Sequence, residues 1–138
     1  MIFLDTSAIY AMADRNDPNH ERATEGLQGI LDAGEEILTH NYVLVESMAL
    51  LQNRLGTQAA IHLARDARSF RIEWVDEATH EEAVRRLTRE AKRRASFVDM
   101  VSFLVMRRRG VRTALAFDPD FEREGFQLFA RPSEESPR

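Results

Sequence analysis

The sequence predicts an α/β fold, a single domain on a parallel β-sheet of about five short strands with helices on both faces. Three observations predict it. Short, nearly all-apolar segments alternate with longer stretches of helical periodicity, the pattern of strands buried on both sides. The 138 residues suit one hydrophobic core. No internal repeat, low-complexity tract or interior linker divides them. Residues 131–138 alone, Arg-Pro-Ser-Glu-Glu-Ser-Pro-Arg, read as a loose polar tail, which leaves 1–130 as the domain.

The elements follow in order. Ile2-Phe3-Leu4 is a short buried strand ending at Asp5, and Ser7–Ala13 a helix that Asp5 can cap. Asp17-Pro18 pairs an N-cap with proline at the first helical position, opening a helix to about Asp32. Glu36–Thr39 is the second strand. Asn41 caps an apolar helix from Tyr42 to about Arg54, and another spans 57–69. Arg71–Val75 alternates like a strand, and Thr79-x-x-Glu82 reads as a capping box in the first turn of the next helix. Ser96 opens a helix to about Arg109 that Gly110 can end. Strands at Thr113–Phe117 and near Gln127–Phe129 complete the sheet.

Composition excludes several classes of function. There is no cysteine, so no disulfide framework, thiolate zinc site or Cys nucleophile is available. No apolar run reaches the roughly 18 residues of a membrane span, and no basic segment precedes the first apolar one, so a soluble cytoplasmic protein is expected. Of 19 cationic residues only Lys92 is a lysine, and no G-x-x-x-x-G-K appears. The net charge of −4 argues at first sight against nucleic acid. It is unevenly spread, however. Residues 85–112 hold ten cations against Glu90 and Asp99, a local +8.

In open parallel sheets the site lies beyond the C-terminal strand ends. Asp5 and Asp118 fall there by inspection. Glu46 stands in Val43-Leu44-Val45-Glu46-Ser47-Met48, where a charge must find a partner, a cation or solvent. Asp99 stands in Ser96-Phe97-Val98-Asp99, close to a capping box but heading an apolar helix. Asp118-Pro119-Asp120 is also an ordinary turn signal. Each residue alone has a structural reading as a cap, turn or ion pair. Jointly they are carboxylates that the topology can gather, and gathered carboxylates need a cation. An all-oxygen donor set without clustered His or Cys points to Mg²⁺ or Mn²⁺. Such an ion suits phosphodiester hydrolysis.

The segments Ile2-Phe-Leu-Asp-Thr-Ser-Ala8, Val43-Leu-Val-Glu-Ser47, Ser96-Phe-Val-Asp-Met-Val-Ser-Phe-Leu-Val-Met106 and Ala116-Phe-Asp-Pro-Asp-Phe121 resemble the four acidic motifs of PIN-domain ribonucleases, most closely VapC-type toxins of toxin–antitoxin modules. The likeness spans residues 1 to about 129 in order and spacing. It implies Mg²⁺- or Mn²⁺-dependent endonucleolytic cleavage of RNA, with metal-ligand roles for Asp5, Glu46, Asp99 and Asp118 and Asp120 as a possible fifth carboxylate. Ser7 would orient water or a ligand, while Thr6 matches the motif without a clear role. The same likeness suggests a homodimer and a cognate antitoxin.

Arg85, Arg86, Arg89, Lys92, Arg93 and Arg94 have helical spacing. They read either as a solvated face or as a phosphate-contacting surface, with Arg89, Arg93 and Arg94 the candidates. Arg107-Arg108-Arg109 suit a helix C-terminus. His20, His40, His62 and His80 share no spacing and read as surface or capping residues, with His40 at a strand end. Phe97, Phe103, Phe117 and Phe121, with Met48, Met100 and Met106, read as packing. Three other functions compete with the toxin: a housekeeping PIN-domain RNase without an antitoxin, an Asp-nucleophile phosphotransferase using Asp5, and a non-catalytic scaffold. The second would want an Asp two residues on, where Ser7 stands.

Overall fold

The structure, a computed structural model, describes residues 1–92 and 95–129. The polar tail and the readings of Arg93 and Arg94 lie outside the described residues. Strands β1 (Ile2–Leu4), β2 (Ile37–His40), β3 (Arg71–Glu73), β4 (Thr113–Leu115) and β5 (Gln127–Leu128) form one sheet in the order β3-β2-β1-β4-β5. Every pairing is parallel, with Phe3 opposite Leu38 on one side and Ala114 on the other.

That order fixes where the helices go. The chain steps outward from β1 to β2 to β3 through α1 (Thr6–Ala13), α2 (His20–Asp32), α3 (Asn41–Leu55) and α4 (Thr57–Asp66). It then returns across the sheet to β4 through α5 (Glu77–Arg89) and α6 (Phe97–Arg109). Right-handed crossovers in opposite directions place their helices on opposite faces. The reversal falls between β1 and β4, the switch point at which open sheets of this type leave a crevice.

The core is built where the strands predict it. Phe3, Leu38 and Ala114 are fully buried, and Phe103, Met100 and Met106 of α6 cover them from one side. On the other, α2 lies so close to β4 that a Cβ on Gly26 would stand 2.8 Å from Leu115 Cδ1. Helix α6 is fixed at both ends. Ser96 Oγ accepts from Asp99 N and Asp99 Oδ2 accepts from Ser96 N, each at 3.1 Å, and Gly110 takes the left-handed conformation at φ 67°.

Several boundaries move for local reasons. Asp17-Pro18 forms a turn rather than the helix start, because Asp17 Oδ1 and its carbonyl take the amides of Asn19 and His20 at 2.8 and 3.0 Å. Helix α2 therefore begins at His20. The cap of α3 is His40, whose Nδ1 accepts from Val43 N at 3.3 Å, while Asn41 Oδ1 instead accepts from Val75 N at 2.7 Å. Asp76 caps α5 through Thr79 N at 2.8 Å. Thr79 and Glu82 form no capping box; both bond to Arg108 of α6. The helix read over 57–69 tightens into a 3₁₀ turn at Ala67–Ser69. Strands β3 and β4 stop at Glu73 and Leu115, and a one-turn helix α7 (Asp120–Arg123) follows β4. Among the described residues no helix is long and apolar enough to cross a membrane.

Four of the ten cations behind the local +8 are paired within the fold. Arg107 pairs with Glu124 at 2.8 Å, Arg108 with Glu82 and Arg109 with Glu73, each at 2.7 Å, and Arg86 with Glu90 at 2.8 Å and with Glu124. These arginines tie α5 and α6 to their surroundings, while Arg85, Lys92 and Arg112 are exposed. Arg89 is exposed at the end of α5.

Candidate active site and metal centre

The crevice at the switch point is a cleft of about 630 Å³ lined by Asp5, Glu46, Asp99, Asp118 and Asp120, with Thr6, Ser7, Asn53 and Ser96 among them. No Lys, Arg or His lines it among the described residues. A second cavity of similar volume, lined mainly by apolar side chains of α1 to α4, contains none of these carboxylates.

Each carboxylate is placed by a local rule. Asp5 ends β1 and caps α1, so its Oδ2 accepts from Ser7 N at 3.1 Å and Ser7 Oγ at 2.7 Å. The Ser7 hydroxyl in turn accepts from Phe117 N at 2.9 Å, and Asp5 N donates to Leu115 O at 3.2 Å. The exits of β1 and β4 are thereby sewn together. Asp118 closes an Asx turn on Asp120 N at 2.9 Å, across a proline that presets φ at −66°. Phe121, fully buried against Phe103 and Phe3 at ring separations of 5.2 and 6.1 Å, pins that turn over the sheet. Asp99 enters from α6, one turn past its N-cap.

The result is a tight group. One carboxylate oxygen each from Asp99, Asp118 and Asp120 lies within 4.8 Å of the others. Asp5 is buried beside them, close enough that its charge raises the pKa of Asp99. Glu46 stands apart. It is exposed on the cleft wall, and Thr6 Oγ1 donates to its Oε1 at 2.8 Å while accepting from Ser47 Oγ at 3.2 Å. The geometry thus gives Thr6 a role that sequence left open, and brings Asp120 closer to the centre than Glu46.

Electrostatics show what the group lacks. Burial pushes the Asp5 carboxyl up from 3.8 to about 6, against the lowering effect of its Ser7 hydrogen bonds. Burial, then the charge of Asp5, pushes Asp99 up to about 7. Carboxylates this costly to ionise want a cation within the group. The trio offers only oxygen, close enough for one ion to touch all three, and this hard donor set fits Mg²⁺ or Mn²⁺.

Asn53, Ala49 and Leu50 also line the cleft. A signal for them existed: Ala49, Leu50 and Asn53 lie three, four and seven residues after Glu46, on one helix face. His40 does not reach the cleft. It is fully buried, its Nε2 bonds Ser102 Oγ at 2.8 Å, and burial lowers its pKa to about 3.

The PIN domain family profile matches residues 2–126, and the chain belongs to that family. Within it, the likeness is to VapC-type toxins. The chain is 39% identical over 130 residues to the 23S rRNA-specific endonuclease VapC20 of Mycobacterium tuberculosis, covering 91% of this chain and 95% of that one. It is 27% identical over 119 residues to ribonuclease VapC26 of the same organism, covering 85% and 86% of the two chains. The crystal structure of M. tuberculosis VapC20, described as a sarcin-ricin loop cleaving toxin, superposes with a TM-score of 0.82 at 38% identity, over 96% of this chain and 100% of that one. FitAcB from Neisseria gonorrhoeae, at 20% identity and a TM-score of 0.65 over 94% and 97%, shares the fold.

Proposed function

We propose that this protein is a divalent-metal-dependent endoribonuclease and the toxin of a toxin–antitoxin pair. The observation that carries the reading is the convergence of Asp99, Asp118 and Asp120, with Asp5 beside them, at the switch point of a PIN-domain sheet. The likeness to VapC20 makes 23S rRNA, and its sarcin-ricin loop in particular, the first substrate to try.

Asp99, Asp118 and Asp120 would hold Mg²⁺ or Mn²⁺, with Asp5 adding charge and a further oxygen. Bound there, the ion would polarise a phosphoryl oxygen and lower the pKa of an attacking water. The chain's own residues do the rest. Ser7 fixes the Asp5 carboxylate through the Phe117 amide, so the acidic group does not splay apart under its own repulsion. Thr6 holds Glu46 on the open side of the cleft, where its solvent-accessible carboxylate can take the water's proton. In-line attack would leave a 5′-phosphate and a 3′-hydroxyl. The reading extends to a cognate antitoxin, a homodimer and a cytoplasmic location.

The test is cleavage of RNA, including a sarcin-ricin loop oligonucleotide, by purified protein with Mg²⁺, with Mn²⁺ and with EDTA. Cleavage that needs metal and is lost in Asp99→Asn supports the assignment. Equal cleavage by wild type and Asp99→Asn would sink it. Rescue of growth by a neighbouring small reading frame separates a toxin from a housekeeping RNase.

A further inference from the structure

The cleft presents a difficulty for the substrate proposed above. A phosphodiester entering it meets five carboxylates and, among the described residues, no lining cation. Most arginines nearest α7 are already engaged: Arg107 is paired with Glu124, and Arg86 with Glu90 and Glu124. Arg123 differs. Its Nη1 donates to Asp120 Oδ1 at 2.9 Å, and it is the one cation paired with any of the five cleft carboxylates among the described residues.

The exposures of the two partners are unequal. The Arg123 side chain is 56% exposed and the Asp120 side chain 11%. The guanidinium therefore lies on the solvent side and reaches in over the rim. An exposed pair three residues apart contributes little to stability. Its position, however, puts a planar group with five donors beside an oxygen of the acidic trio.

We propose that Arg123 is a phosphate-positioning residue that exchanges partners. It neutralises Asp120 in the metal-free protein, yields that oxygen to the divalent ion, and then binds a non-bridging oxygen of the RNA backbone at the cleft mouth. This inference rests on the RNase reading above. A guanidinium suits the exchange because its fork can keep one N–H on Asp120 while another meets a phosphate. No bond is made or broken by Arg123, and its charge does not change.

The roles make opposite demands, which gives the test. Arg123→Gln removes a cation that competes for Asp120 and repels metal, so Mn²⁺ should bind two- to fivefold more tightly in a calorimetric titration. The same variant should lose about tenfold in kcat/KM on RNA. Its plot of log(kcat/KM) against log salt should flatten by about 0.7, the loss of one phosphate contact to a single strand. Arg123→Lys should retain the salt slope and recover part of the rate. Unchanged cleavage in Arg123→Gln overturns the proposal. So does joint weakening of metal binding and cleavage, which would make Arg123 a mere support of α7. Failure of the RNase reading is distinguishable: wild type would then bind Mn²⁺ and cleave no RNA at all, whatever stands at position 123.

Discussion

The hydroxyl of Ser7 donates to Asp5 Oδ2 at 2.7 Å, two residues back along the chain. Ser7 Oγ itself accepts from Phe117 N at 2.9 Å, so one small side chain joins the acid at the end of β1 to the loop that carries Asp118 and Asp120. Ser7→Ala leaves the Phe117 amide short of its partner and frees the Asp5 carboxylate to turn. Loss of one such part-buried bond costs about 1–2 kcal/mol. Metal affinity should fall about 10-fold, since supports of ligating groups are worth 10–100-fold. Calorimetric titration with Mn²⁺ and thermal unfolding in EDTA measure the two effects separately.

The acidic residues should differ in rank. Asp99, Asp118 and Asp120 each put an oxygen into the 4.8 Å group, whereas Glu46 is exposed and bonded to Thr6. Asn at any of the first three positions should weaken Mn²⁺ binding at least tenfold. Glu46→Gln should weaken it only a few-fold while lowering kcat about 100-fold, in the range of lost general-base catalysis. An Asp120→Asn protein with wild-type Mn²⁺ affinity would show that the trio is not the metal site.

Stability should depend on pH in a way that reveals the strain of the site. Burial, then the charge of Asp5, pushes the Asp99 carboxyl up from the ordinary 3.8 to about 7, so between these pH values the native protein holds a proton that the unfolded chain has lost. Stability from this group is therefore present at low pH and is lost as pH rises through about 7. Asp5, at about 6, acts in the same direction. His40 acts oppositely, because its folded pKa of about 3 lies below the ordinary 6.5, so its contribution fades as pH falls below 6.5. Between about 4 and 6 the two aspartates outweigh the one histidine, so stability still falls as pH rises. Metal-free protein should therefore lose Tm as pH rises from about 4, and the loss should level off above about 7, where both aspartates are ionised in the folded and unfolded chain alike. Asp99→Asn should remove most of that loss, a gain on the order of a few kcal/mol at pH 8. Differential scanning calorimetry in EDTA reads it directly.

Metal should reverse the same trend. An ion that binds the folded trio and not the unfolded chain stabilises by mass action, by about 2.7 kcal/mol at one hundred times its Kd. At pH 8 excess Mn²⁺ should raise the wild-type Tm by several degrees, and Asp99→Asn should respond far less. A wild-type Tm indifferent to Mn²⁺ would count against a metal centre.

Much of this was legible in the chain. Short runs such as Ile2-Phe3-Leu4 and Thr113–Leu115 read as strands buried on both faces, and their alternation with helices implies the parallel sheet. The Ser96–Asp99 capping box is local, so it could be read from residue identity and spacing, and it forms as expected. Carboxylates at strand ends and on apolar helices marked Asp5, Glu46, Asp99 and Asp118, because such charges demand a reason.

Other features depended on partners far away in sequence. Nothing local distinguishes a phosphate-binding arginine from one that pairs with Glu124 or Glu73, and only packing of α6 against α5, β3 and α7 decided it for residues 107–109. Thr79 and Glu82 had the spacing of a capping box, yet Asp76 took the cap and Arg108 took both of them. The same holds at the site. Residue types and spacing named the acids, since a charge at a strand end or on an apolar helix needs a partner, a cation or solvent wherever it occurs. Which oxygens lie within reach of one ion, that Asp120 is among them while Glu46 leans on Thr6, and that Arg123 stands at the rim were decided by the tertiary structure. Chemistry of this kind depends on distances of a few ångströms between segments more than a hundred residues apart, and the fold alone sets those distances.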